Sequence, residues 1–185
     1  MADSVFIGNT ASTGVGGGGI LNYGTVTVNH SAFSGNRALL NDGAGGGILN
    51  QSGGTLHVNR STFSGNQVNW GSGGGIANGG ALDTTNSTFF SNTAQWGRGV
   101  YNRGTLAVIN STFFSNTAVS HGGGMYNNEV TPSLKNVILW GDSAPNGPEI
   151  YNNSSTPVIA YSDVQGSGGS GAAWNASLGS DGGGN

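Results

Sequence analysis

Cysteine is absent from the 185 residues, which excludes a disulfide framework and thiolate chemistry. Charge is nearly as scarce: 7 % of residues are Asp, Glu, Lys or Arg, where roughly 25 % is usual for soluble domains. Lys and Arg number five, they are scattered, and the net charge is −3. Nucleic-acid binding needs clustered cations, so this balance speaks against it. No apolar run is long enough to span a bilayer as a helix. Ala2-Asp3-Ser4 lacks the basic region and apolar core of a signal peptide, so the chain is expected either to be cytoplasmic or to have lost its start. What is abundant is glycine, at 37 residues, together with Ser and Asn. Such a composition suits a flexible, low-complexity chain. Disordered chains, however, are usually rich in charge and poor in large apolar groups. Here charge is missing and the apolar residues recur at regular intervals.

That recurrence is an internal repeat. Phe followed three places later by Asn occurs at Phe6/Asn9, Phe33/Asn36, Phe63/Asn66, Phe89/Asn92 and Phe113/Asn116, with a degenerate sixth copy at Leu139/Asp142. Successive copies start 27, 30, 26, 24 and 26 residues apart. Each also carries a glycine cluster leading into an apolar residue, a variable residue and Asn. Examples are Gly19-Ile20-Leu21-Asn22, Gly75-Ile76-Ala77-Asn78 and Gly124-Met125-Tyr126-Asn127; Glu149-Ile150-Tyr151-Asn152 lacks the glycine. An alternating segment follows, as in Thr25-Val26-Thr27-Val28 and Thr55-Leu56-His57-Val58. Alternation is the strand period. A unit of three short strands cannot bury its apolar side alone, but stacked units share a core. The repeat therefore predicts an all-β, right-handed parallel β-helix of about six coils over residues 1–165. Residues 166–185, rich in Gly and Ser with one Trp174, read as a tail or linker.

Stacking puts equivalent residues above one another. Phe6, Phe33, Phe63, Phe89 and Phe113 should form one inward column. Ile20, Ile48, Ile76, Val100, Met125 and Ile150 should form a second, and Val26, Leu56, Leu82 and Leu106 a third. Asparagine amides can donate to one neighbour and accept from the other. Asn9, Asn36, Asn66, Asn92 and Asn116 are thus one expected structural ladder, and Asn22, Asn50, Asn78, Asn102, Asn127 and Asn152 another. The Asn-Ser-Thr triplets at 86–88 and 110–112 read as repeat positions rather than glycosylation sites. The glycine clusters are expected to serve turns of positive φ. Gly14-Val15-Gly16 has no following helix and is not a nucleotide fingerprint.

The Phe-x-x-Asn and Gly-Gly-x-Ile repeats, with Asn136-Val137-Ile138-Leu139-Trp140-Gly141 and Ile159-Ala160-Tyr161-Ser162-Asp163-Val164-Gln165-Gly166, resemble the passenger region of chlamydial polymorphic outer-membrane proteins. They are similar more widely to exported bacterial β-helix repeat proteins. The resemblance covers residues 4 to about 166. It implies an extracellular or cell-surface location and an adhesive or structural role.

Polysaccharide lyases and hydrolases also use stacked coils, and their chemistry needs clustered carboxylates. Asp42, Asp83, Glu129, Asp142, Glu149 and Asp163 share no column. In the outward column Thr27, His57, Asp83, Ala107, Lys135, the expected His57–Asp83 contact is a surface ion pair. His30 and His121 fall in different columns, which speaks against a three-histidine metal site, and nothing calls for a cofactor. The partial threonine column Thr62, Thr88, Thr112 is too interrupted for an ice-binding array. Aromatic columns are more informative. Tyr101, Tyr126 and Tyr151 follow the second inward column; Phe90, Phe114 and Trp140 follow the first; Trp70 and Trp96 match each other in the variable loop. Rows of this kind suit sugar rings or protein partners. No cap precedes Ser4, so Met1 is expected to begin inside a larger coil or under another chain, and stacked ends would give a fibre. The expected function is a non-catalytic extracellular or cell-surface structural or adhesion module. It would self-associate, bind a protein partner or bind glycans. The alternative is a carbohydrate-binding or polysaccharide-degrading β-helix protein.

Overall fold

The computed structural model describes residues 1–12, 16–39 and 45–185; Gly14, Val15 and Asp42 lie outside them. The chain winds into a parallel solenoid of about six coils. The sheet carrying the phenylalanines has seven strands, from Val5–Ile7 and Ala32–Ser34 through to Ile138–Trp140 and Asp163–Val164. A six-stranded sheet runs from Ile20–Asn22 to Ile150–Asn153 and carries the tyrosines. A sheet of longer strands runs from Thr25–Asn29 to Ser180–Asp181. A fourth, short sheet, not expected from the repeat, joins Thr10–Ala11, Arg37–Ala38 and Gln67–Val68 and continues as isolated bridges.

The columns follow the expected register, with Phe6 on Phe33, Ile48 on Ile76 and Leu56 on Leu82. The phenylalanine rings stack 4.6–4.8 Å apart and within 7° of parallel, at the spacing of neighbouring strands. Phe33, Phe63, Phe89 and Phe113 are fully buried, while Phe6, Ile20 and Val26 are only partly so because no coil among the described residues covers their open side. One register departs from expectation. Ala107 pairs with Ser133, and Lys135 falls beside Ile109. Pro132 has no N–H for the ladder, so the fifth long strand starts after it.

The glycine clusters serve two purposes rather than one. Gly73, Gly97, Gly122 and Gly147 do adopt positive φ. Gly75, Gly99 and Gly124, two places after the first three, do not. There a Cβ would collide: at Gly99 it would lie 2.5 Å from the Gly124 carbonyl oxygen and 2.7 Å from the Phe113 ring.

Both asparagine ladders are present. Nδ2 of Asn9, Asn36, Asn66 and Asn92 donates to Oδ1 of the next ladder residue at 2.8–3.0 Å, and Asn116 donates to Asp142 at 2.9 Å. In the second ladder Asn22, Asn50 and Asn78 donate onward, as does Asn127 to Asn152. It breaks between Asn102 and Asn127, where Asn102 Nδ2 and Asn127 Oδ1 are buried without partners. The Asn-Ser-Thr triplets are corners. Asn86 and Asn110 sit at φ of about 50° in one column with His30, Arg60 and Asn136, a conformation Asn tolerates well. The following serines clamp the corner: Ser87 Oγ accepts from the Ser61 N–H and donates to the Thr85 carbonyl.

Residues 166–185 are not an unstructured tail. They carry short 3₁₀ turns at Gly171–Ala173 and Ala176–Leu178, and Ser180–Asp181 pairs with Val158–Ala160. Leu178 is buried in the main core and Trp174 packs against it, its Nε1 donating to the Gly179 carbonyl. Asn152 donates to the carbonyls of Ser177 and Leu178, so the cap takes up the last amide of the ladder. Composition hid this, because one Trp and one Leu suffice to close so narrow a core. The long-strand, tyrosine and phenylalanine edges of the first coil remain unpaired among the described residues, apart from bonds that Met1 and Asp3 make to Thr27 and Asn29.

Candidate binding face

Three features were expected to carry function, and the fold treats them differently. The tyrosine column is real. Tyr101 stacks on Tyr126 at 5.1 Å and 24°, and Tyr126 meets Tyr151 at 5.1 Å and 30°. All are half-buried, because the loops entering this sheet fold beside it. Burial raises the Tyr101 hydroxyl above its ordinary pKa, against the pull of the Arg103 charge, and burial likewise raises Tyr126. The loop register places Ser72 beside Trp96, Trp96 beside His121 and His121 beside Asn146. Trp70 therefore does not stand over Trp96; it projects at the loop tip, 66 % exposed. His121 joins the tyrosines instead, its ring 4.4 Å from Tyr151.

The second aromatic column lies on the phenylalanine sheet. Phe90 and Phe114 stack at 5.0 Å, and Trp140 continues the register, with Phe114 and Trp140 exposed. The expected His57–Asp83 pair forms at 3.2 Å with both side chains in solvent, as a surface contact does.

The tyrosine column holds a feature that sequence reading missed. Its full order is Leu21, Leu49, Ala77, Tyr101, Tyr126, Tyr151. Rings stacked in a column cover one another's faces. Tyr101 has Tyr126 on one side, but on the other it has only the methyl of Ala77. The result is a notch of about 280 Å³ lined by Leu49, Gln51, Ser72, Ala77, Trp96, Tyr101 and Arg103, among others. The Gln51 amide, the Trp96 indole N–H and the Arg103 guanidinium make no side-chain hydrogen bond among the described residues. The signal was there: a single small residue between bulky ones in a column.

A second missed feature lies under the cap. Asp142 and Glu149 belong to no common column, yet the sixth coil brings them close enough for each to influence the other's ionisation. Asp142 occupies an asparagine position of the ladder and Glu149 a glycine position. The ring column tapers there, Leu139 pairing with the smaller Val164, which leaves room for a side chain at 149. Both residues are buried, and Asp142 Oδ2 and Glu149 Oε2 have no donor partner. Burial raises both carboxyls, Glu149 the further because it also feels the Asp142 charge; the Asn116 donors hold Asp142 back. Burial keeps a polymeric substrate from this pair.

Among the described residues no group of three or more His, Cys, Asp or Glu is arranged to hold a metal, and no helix is long and apolar enough to cross a membrane. No family model, no curated protein and no solved structure matches the chain.

Proposed function

We propose that the chain is a non-catalytic structural module of the cell surface that works in adhesion, holding a glycan against its tyrosine face. The observation that carries this reading is the notch at Ala77. A pyranose ring resting on the free face of Tyr101 would continue the column one coil further, and aromatic faces are good platforms for such rings. Gln51, Trp96 and Arg103 surround that position with donors that are unused among the described residues and suit hydroxyl groups. The volume is just below the roughly 300–1,000 Å³ of typical ligand pockets, a size for one ring rather than for a buried chain. Tyr126, Tyr151 and His121 would meet the neighbouring residues of an oligosaccharide by their edges. Location at the cell surface rests on the resemblance of the Phe-x-x-Asn repeats to exported passenger regions. Assembly through open ends is the weaker form of the reading. The cap covers one end of the rod, so a head-to-tail fibre would require it to leave.

A glycan array followed by calorimetric titration of the best hit tests this. The wild type should bind a subset of oligosaccharides. Ala77→Tyr should fold normally, fill the notch with a fourth ring and lose binding at least tenfold. Absence of any glycan ligand, or unchanged affinity in Ala77→Tyr, would sink the proposal.

A further inference from the structure

The carboxyl pair at the capped end departs from the repeat twice within one coil. Five coils place Asn at the ladder position; the sixth places Asp142 there. The glycine preceding the second strand in earlier coils becomes Glu149. Both changes introduce a carboxylate, and both side chains end at one cavity of about 480 Å³ between the last coil and the cap. Asp142 and Glu149 are 6 % and 4 % exposed, and each has one buried oxygen without a partner. Among the described residues no Lys, Arg or His lines the cavity. Its remaining polar lining is rich in oxygen, from Ser143, Gln165, Asn175 and Ser177.

Two buried carboxylates with no basic neighbour must be neutralised by protonation or by a cation. We propose that Asp142 and Glu149 anchor a binding site for a hard divalent cation of the calcium class beneath the C-terminal cap. Hard cations take oxygen ligands, and calcium accepts six to eight of them in irregular geometry, so two carboxylates, amide and hydroxyl oxygens and water form a suitable set. Magnesium demands a near-ideal octahedron, for which this lining gives no provision. Asp142 Oδ1 remains engaged by Asn116, which leaves Oδ2 for the ion without disturbing the ladder. Asn175 and Ser177 belong to the cap and Asp142 to the sixth coil, so a bound cation would tie the two together.

The test is thermal unfolding of the full chain after chelation, with calcium chloride added back and sodium chloride at matched ionic strength as control. Calcium at about a hundred times its dissociation constant should raise Tm by roughly 5–10 °C. Asp142→Asn restores the ladder's own amide, and Glu149→Gln keeps the side-chain shape. Both should fold, and both should lose the calcium shift. An unresponsive wild type would mean that the pair holds only a shared proton, and would overturn the proposal. So would an equal shift from sodium, or a calcium shift that survives either substitution. Glycan binding at the notch is read separately and is unaffected by these outcomes.

Discussion

Asn66→Ala removes one rung from the middle of the first ladder, and its cost can be worked from the bonds it breaks. Asn66 Oδ1 accepts from the Asn36 N–H at 3.1 Å and from Asn36 Nδ2 at 2.9 Å. Its own Nδ2 donates to Asn92 Oδ1 and to the Phe33 carbonyl. Asn36 and Asn66 have no solvent exposure, so water cannot replace the lost partner. Two donors of Asn36 are stranded, at about 1–3 kcal/mol each. The stranded acceptors cost less, since Asn92 Oδ1 keeps the Asn66 N–H. The expected loss is about 4 kcal/mol, or roughly 8–16 °C in Tm for a chain of this size. Asn9→Ala is the control. Asn9 only donates to its neighbour and is exposed, so its loss should cost about 1 kcal/mol or less. Urea unfolding followed by far-ultraviolet circular dichroism reads the difference. Equal costs for the two substitutions would refute the view that the ladder stabilises through burial.

Other expectations follow from the same structure. Phe89→Ala opens the ring column where it is fully buried and should cost about 3–5 kcal/mol, checked by the same unfolding curves. Ser87→Ala removes the corner clamp and strands the buried Ser61 N–H, at about 1–3 kcal/mol. Asn110→Ala, in the exposed corner ladder, should cost about 1–2 kcal/mol, mostly from placing Ala at positive φ rather than from the lost surface bonds. In calcium-free buffer the raised carboxyls give a pH dependence with a defined sign. The folded state holds more protons than the unfolded chain from the ordinary carboxylate range up to about 8, the value to which Glu149 is pushed. Stability should therefore fall as pH rises through that window and level off above it. A Tm series across the window should show the decline in the wild type and a flatter profile in Asp142→Asn.

The coil was legible in the sequence because stacking repeats the same demand at the same residue. Five Phe and five Asn at matched spacing fit a stacked coil and little else. The aromatic columns were legible for the same reason. What escaped are the places where one coil breaks the pattern. Ala77 looks ordinary until the column above and below it is known to be bulky. Asp142 and Glu149 were sought as partners one coil apart, whereas they meet inside a single coil, seven residues apart across a turn. The cap escaped because its composition is that of a linker, and only the position of Trp174 and Leu178 over the core end makes it a fold. Loop register was equally hidden: a change of coil length between 67 and 96 moved Trp70 away from Trp96.

The buried ladders also give the rod a direction. In the amide-to-amide bonds of the two buried ladders each Nδ2 donates toward the capped end, from Asn9 through Asn116 in the first and from Asn22, Asn50, Asn78 and Asn127 in the second, while the second N–H of Asn36, Asn66, Asn92 and Asn116 reaches back to a Phe carbonyl of the preceding coil. Amide dipoles aligned head to tail add up, as they do along a helix. The capped end is therefore the positive pole of the interior, and it is there that the ladder terminates in Asp142 rather than in another asparagine. An anion at that position stands to the ladder as an acidic residue stands to a helix N-terminus. Inserting or deleting a middle coil would change the length of the rod but leave its polarity, and the acidic terminus that answers it, in place.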